Sequence, residues 1–189
     1  MTIKLIVGLQ NPGDSYAHTR HNAGAWFVEA LVNQCGGSFK PDKKLKGQLA
    51  EIKINEMSCK VLLPSLYMNQ SGQSVRAVSQ FYKIQPDEIL VAHDELDLDV
   101  GRIKLKTGGG HGGHNGLRDI ISLMGTPGFH RLRIGIGHPG HRDLVTPFVL
   151  GKPTAEEKNC ILEAINQAVD AKSEIISGQM PAAMNKINS

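Results

Sequence analysis

Two short apolar runs, each stopping at a polar edge, constrain this chain most. Ile3-Lys4-Leu5-Ile6-Val7 ends at Gly8, and the run over 88–93 leads directly into Asp94. Runs so rich in Ile, Leu and Val suit strands buried on both faces, and such strands need helices on either side of their sheet. The segments between supply the helices. Ala23, Trp26, Phe27, Ala30 and Leu31 keep the i, i+3, i+4 spacing of a helix that Asn22 can cap and Gly36-Gly37 can end. Val75, Val78, Phe81 and Tyr82 mark a second helix opened by Asn69 or Ser71, and a third covers about 116–124. A long amphipathic helix is expected from Thr154 to Ile176, with a short one after Pro181. Strands are expected at 48–54 and 59–63, neighbours that suit a hairpin. Arg102–Lys106 and Arg131–Ile136 alternate basic with apolar residues, the period of two of half-covered strands. The expectation is one α/β domain over 1–189, a twisted mixed β-sheet sandwiched between α-helices in three layers.

Length and composition agree. The 189 residues match the roughly 100–200 of one domain, and 40% hydrophobic with 21% charged excludes a disordered chain. No apolar run approaches the roughly 18–20 residues that span a bilayer, so no membrane span is expected. The first residues lack the apolar core and cleavage site of a secretory leader. Cys35, Cys59 and Cys160 are odd in number and widely spaced, and read as reduced thiols of a cytoplasmic protein. A net charge of +3 requires any basic footprint for nucleic acid to be local. Aromatics at 5% argue against a surface that stacks many bases.

Three familiar motifs fail on inspection. Gly8 to Gly13 has the spacing of a phosphate-binding loop, but Asp14 stands where the loop's Lys would meet phosphate. Gly108-x-Gly110-x-x-Gly113 lacks the acid roughly 20 residues on that would hold a ribose, and position 133 is Arg. Its expected use is a mobile loop whose backbone approaches a ligand closely. His111-x-x-His114 and His138-x-x-His141 have pair spacings, and Asp94, Glu95, Asp97 and Asp99 cluster, yet no His-Glu-x-x-His or calcium-loop pattern forms. No metal or other cofactor is expected.

Small polar residues at element ends remain. His21 stands at the start of the first helix, where the positive helix end disfavours imidazolium and suits a neutral general base. Asp94, just past a buried strand, could accept the other ring N–H and fix the tautomer. Asn11, Asn69 and Asn115 sit beside turns at the mouths of three elements, and neutral amides suit an ester or amide ligand. Taken singly, each reads as well as a turn former or a cap.

Five long motifs in order resemble those of bacterial peptidyl-tRNA hydrolases. The first is Gly8-Leu9-Gln10-Asn11-Pro12-Gly13-x-x-Tyr16-x-x-Thr19-Arg20-His21-Asn22-x-Gly24. Pro64-x-x-Tyr67-Met68-Asn69-x-Ser71-Gly72 and His93-Asp94-Glu95-Leu96-Asp97 follow. The glycine-rich run from Gly108 to Gly116 and Arg131-Leu132-Arg133-Ile134-Gly135-Ile136-Gly137-x-Pro139 complete the series. The resemblance covers residues 3 to about 153, and only the helices after Pro153 are generic.

That resemblance implies a monomeric, metal-free esterase that cleaves the ester between a peptide and the 3′-terminal ribose of tRNA. By it, His21 accepts a proton from the attacking water and Asp94 supports its basic form. Asn11 would read the peptide backbone and so separate blocked from free-amine ends. Tyr16, Tyr67, Asn69 and Asn115 match positions that contact the tRNA end or position the ester and water. Lys106 and Arg133 match a clamp for the tRNA 5′-phosphate, on what read as two solvated basic strand faces. Gly108–Asn115 and roughly 138–150 would border the cleft. The chemistry suits the residues, because an ester needs only a general base and a few amide donors. Two other readings use the same residues: a non-catalytic RNA-binding relative, and a small-molecule esterase or amidase with the same His–Asp pair.

Overall fold

The two apolar runs lie at the centre of one sheet in the computed structural model of the chain, which describes residues 1–188. Its strands are β1 Leu5–Gly8, β2 Lys40–Asp42, β3 Gly47–Ile54, β4 Met57–Pro64, β5 Ile89–Glu95, β6 Ile103–Thr107 and β7 His130–Gly135. Their spatial order is β2-β3-β4-β1-β5-β7-β6. β1 runs parallel to β4 and β5, and β7 parallel to β5, while β2, β3 and β6 pair antiparallel at the two edges. The helices are α1 Ala23–Gln34, α2 Ser71–Tyr82, α3 Asn115–Met124, α4 Val145–Val149, α5 Ala155–Asp170, α6 Lys172–Ile176 and α7 Met180–Ile187. No described helix is long and apolar enough to cross a membrane.

Alternation along β1 builds two cores. Leu5 and Val7 pack with Val75 and Val78 of α2 and with Leu117 and Ile120 of α3. Ile6 faces the other way, among residues of α1, α5, α6 and α7. Phe27 and Phe129, one in each core, are fully buried, and each contributes about 1.5–3 kcal/mol by its burial. The β3–β4 hairpin turns at Asn55-Glu56, both at positive φ, as a two-residue turn matched to strand twist requires.

Several expectations need correction. Asn22 makes no side-chain cap on α1, and neither Asn69 nor Ser71 caps α2. Instead Asp119 of α3 accepts from Gly72 N at 2.7 Å, so a distant carboxylate satisfies the start of α2. The long C-terminal helix breaks at Ala171 into α5 and α6. A capping box of Thr154 and Glu157 fixes its start. β2 was not expected, since Lys-Pro-Asp shows no alternation, but an edge strand paired on one side tolerates proline. At the opposite edge the Asn188 amide pairs with both backbone groups of Leu105 and closes part of β6.

The topology decides where a site can form. β1, β4, β5 and β7 all end on the same side of the sheet, and β1 lies between two strands reached by chain running in opposite directions. Loops leaving such a point make a crevice outside the carboxyl ends of the strands.

Candidate active site

A cleft of about 340 Å³ opens at that point, lined by Asn11, His21, Tyr67, Met68, Asn69, His93, Asp94, His114 and Asn115. Residues 145, 146, 149 and 150, from α4 and its end, form a largely apolar outer wall, so part of the expected loop 138–150 is helix. The chain brings His21 here because β1 is short and a thirteen-residue loop, 9–21, returns over its end before α1 begins. α1 then packs directly on β5: a Cβ on Gly24 would stand 2.2 Å from the Ala92 carbonyl oxygen. Only glycine allows that approach, which brings the turn of His21 to the end of β5.

His21 Nδ1 meets both carboxylate oxygens of Asp94, at 3.0 and 2.9 Å. With Nδ1 engaged, Nε2 is the nitrogen left to the cleft. Burial alone would lower the His21 pKa, but the charge of Asp94 and its hydrogen bond hold it above the ordinary 6.5. A helix start disfavours imidazolium, but a carboxylate in contact outweighs a partial helix charge and moves the His21 pKa the other way. Asp94 is itself buried, which raises a carboxyl pKa, yet His21 and His114 together hold it well below the usual carboxylate range.

His114 is the residue that spacing arguments missed. Spacing offers it only as half of a His-x-x-His pair, and the resemblance places it in the stretch bordering the cleft; neither names its partners. Its Nδ1 accepts from Gly116 N at 3.1 Å, and its Nε2 lies 2.8 Å from Asp94 Oδ1. His111, His138 and His141 instead each accept from the backbone N–H two residues on, so those histidines build turns. His21, Asp94 and His114 do lie close enough together for one ion. The hydrogen bonds argue otherwise: a ring nitrogen that donates to Asp94 cannot also present a lone pair to a metal. His93 lies behind His114, ring centroids 5.3 Å apart, with Nδ1 on the Asp94 carbonyl at 2.9 Å. Burial and the neighbouring His114 push its pKa down to about 4.

The asparagines divide by role. Asn11 is buried, and its Oδ1 accepts from Met68 N at 2.7 Å. Its backbone exchanges two hydrogen bonds, both 2.9 Å, with the Asn22 side chain. Asn22 is thus the brace of the first loop, and the Asn11 amide nitrogen remains a donor for the cleft. Asn69 is exposed at the cleft, and Asn115 opens α3 there with Oδ1 accepting from Arg118 at 3.2 Å. Tyr67, 57% exposed, stands at the rim, and Tyr16 meets it edge to face at 6.1 Å.

A second cleft of about 270 Å³ continues from the first past His93, Glu95 and His111–Gly112. Lys106, Arg131 and Arg133 line it, but they are not two solvated stripes. Arg131 is buried, and its guanidinium donates to the carbonyls of Gly109, Gly110 and Pro127. The glycine loop expected to be free is thus tethered over its first half. Arg133 Nε donates to Glu95 at 2.9 Å, which leaves its terminal nitrogens, while Lys106 stays exposed.

Comparison with known proteins agrees along the whole chain. A family model described as peptidyl-tRNA hydrolase matches residues 5–189. A peptidyl-tRNA hydrolase of Legionella pneumophila is 58% identical over 188 residues, covering all of both chains. One of Edwardsiella ictaluri is 55% identical over all of this chain and 96% of its own. The crystal structure of peptidyl-tRNA hydrolase from Acinetobacter baumannii matches with a TM-score of 0.96 at 53% identity, covering 99% of this chain and 95% of that one. A purine nucleoside phosphorylase of Toxoplasma gondii shares the fold alone, at 8% identity and a TM-score of 0.53.

Proposed function

The chain belongs to the peptidyl-tRNA hydrolase family, and from that premise we propose how its cleft cleaves the ester between a peptide and the 3′-terminal ribose of tRNA. The activity itself follows from full-length identity to curated hydrolases. His21 Nε2 takes a proton from a water in the cleft as that water attacks the ester carbonyl. Asp94 holds Nδ1–H, fixes the tautomer and stabilises the imidazolium that forms. The developing oxyanion is met by neutral amide donors, Asn69 and Asn115 being the candidates at the cleft. The proton then passes from His21 to the ribose oxygen, releasing tRNA and peptide. Ser71 is fully buried with its hydroxyl on the Met68 carbonyl, which disfavours a seryl intermediate and supports direct attack by water.

Recognition is assigned around that centre. The Asn11 amide nitrogen donates to a peptide carbonyl, Tyr67 with Tyr16 offers a ring face to the terminal base, and Lys106 with Arg133 holds the 5′-phosphate. The enzyme works as a monomer in the cytoplasm without a metal ion, every assigned group coming from one chain. The observation that carries the reading is the His21–Asp94 contact at 2.9 Å beside an open Nε2. Its test is single-turnover hydrolysis of peptidyl-tRNA by His21→Ala. A loss of roughly 10²–10⁴-fold with tRNA binding intact is expected, and retention of more than about a tenth of the rate refutes the base role.

A further inference from the structure

Of the four histidines lining the cleft, only His114 has both ring nitrogens engaged among the described residues. Its Nδ1 accepts from Gly116 N at 3.1 Å and from Leu117 N at 3.4 Å, in the first turn of α3. A ring nitrogen that accepts carries no proton, so the ring proton sits on Nε2, which points at Asp94 Oδ1 2.8 Å away. The helix, not the carboxylate, therefore sets the direction of that bond. The positive end of α3 also polarises the ring and strengthens Nε2–H as a donor. Asp94 thus receives an imidazole N–H from each side.

We propose that His114 is a positioning residue for the hydrolysis: locked as a donor by the start of α3, it shares the Asp94 carboxylate with His21 and limits how firmly Asp94 holds a proton on the base. The proposal rests on the reading of His21 as that base. A base that grips its proton too firmly stays protonated and idle near neutral pH. The groups facing His21 leave few other sources of control. Asp94 approaches it from β5, and His114 lies 4.9 Å away ring to ring from the start of α3. Arg20, in its own turn, is directed to the Phe148 carbonyl and Glu157. Glu95 is occupied by Arg133, and α4 presents uncharged Val145, Thr146 and Val149.

Two substitutions separate the cap from the shared carboxylate. His114→Asn places an amide oxygen where Nδ1 stands, keeping the cap but offering Asp94 no donor. His114→Gln places an amide nitrogen near Nε2, keeping the donor but leaving α3 without its acceptor. The readouts are the NMR titration of the His21 ring, assigned with His21→Gln, the pH profile of kcat/KM on peptidyl-tRNA, and Tm. In His114→Asn the His21 midpoint and the acid limb should both rise by roughly half a unit to one unit, with Tm near wild type. His114→Ser, another capping residue without the donor, should repeat this. In His114→Gln the midpoint should stay near wild type while Tm falls by roughly 2–4 °C. An unmoved or lowered His21 midpoint in the capping variants overturns the proposal, as does an equal rise in His114→Gln. A midpoint that rises while the limb stays fixed would leave the shared carboxylate standing and remove His21 as the base.

Discussion

Asp94 is both buried and charged, and two imidazole donors make that combination stable. The sign of the pH dependence follows from it. Asp94 holds the His21 pKa above 6.5, and a base acts only when neutral, so activity should rise with pH through that raised value. Asp94→Asn keeps the shape and removes the charge. The acid limb of kcat/KM should then move to lower pH, and the plateau should drop as the ring loses its fixed tautomer. A pH profile at full activity with an unmoved limb would contradict the pairing. Asn11 needs a subtler substitution than alanine, because its Oδ1 satisfies the buried Met68 N–H. Losing that acceptor would cost about 1–3 kcal/mol and blur the result. Asn11→Asp keeps the acceptor but replaces the donor facing the cleft by a charge that attracts ammonium. Its ratio of kcat/KM for N-blocked over free-amine aminoacyl-tRNA should fall several-fold, and an unchanged ratio would withdraw the assignment.

The element that positions His21 is α1, and its seat on β5 depends on a missing side chain. A Cβ at Gly24 would meet the Ala92 carbonyl oxygen at 2.2 Å and Leu9 N at 2.9 Å. Both are backbone atoms, so the helix rather than a flexible side chain must move. Gly24→Ala should destabilise the fold by about 1–3 kcal/mol, read as a lower midpoint in urea. Because the shift moves His21 away from Asp94, kcat should fall well beyond what the unfolded fraction explains. Wild-type kcat in the folded variant would show that the turn at His21 positions itself without α1. The glycine loop before α3 teaches the same lesson from the other side. β6 ends at the far edge of the sheet, and residues 108–114 must climb back to deliver His114 to Asp94. Positive φ at Gly108, Gly109, Gly112 and Gly113, with the Arg131 guanidinium on two carbonyls, shapes that path.

At the scale of the whole molecule, the two clefts form one surface joined past His93 and Glu95, longer than a small ester would need. A net charge of only +3 means that the cations matter by placement. Lys106 and Arg133 stand diagonally on neighbouring strands, since Lys106 pairs in register with Arg131. Lys106→Ala and Arg133→Ala should raise KM more than they lower kcat, and each should flatten the salt dependence by roughly one unit of slope or less. Lys106 is the sharper test, because removing Arg133 also strips Glu95 of its partner. Removing the 5′-phosphate from the substrate should hurt the wild type and barely affect Lys106→Ala. Equal losses in both would reduce the pair to a general basic field.

The order of strands and helices, the paired buried runs and most helix faces were legible in the sequence, because burial imposes a local period on local residues. His21, Asp94 and the three asparagines were legible as polar residues at element ends, and the five motifs named their family. Contacts between segments far apart in the chain were not legible. The cap of α2 comes from Asp119, the brace on Asn11 from Asn22, and the second donor to Asp94 from a histidine twenty residues on. The sequence also read Arg131 as part of a basic strand face open to solvent or to tRNA, when its partners are loop carbonyls that no period encodes. The helix start alone would lower the His21 pKa, and the tertiary structure raises it instead by bringing a buried carboxylate within 3 Å. Local patterns set which groups are available, and the folding of β5 against α1 and α3 biases the pKa values of His21 and Asp94, since fields between groups fall with distance in space rather than along the chain.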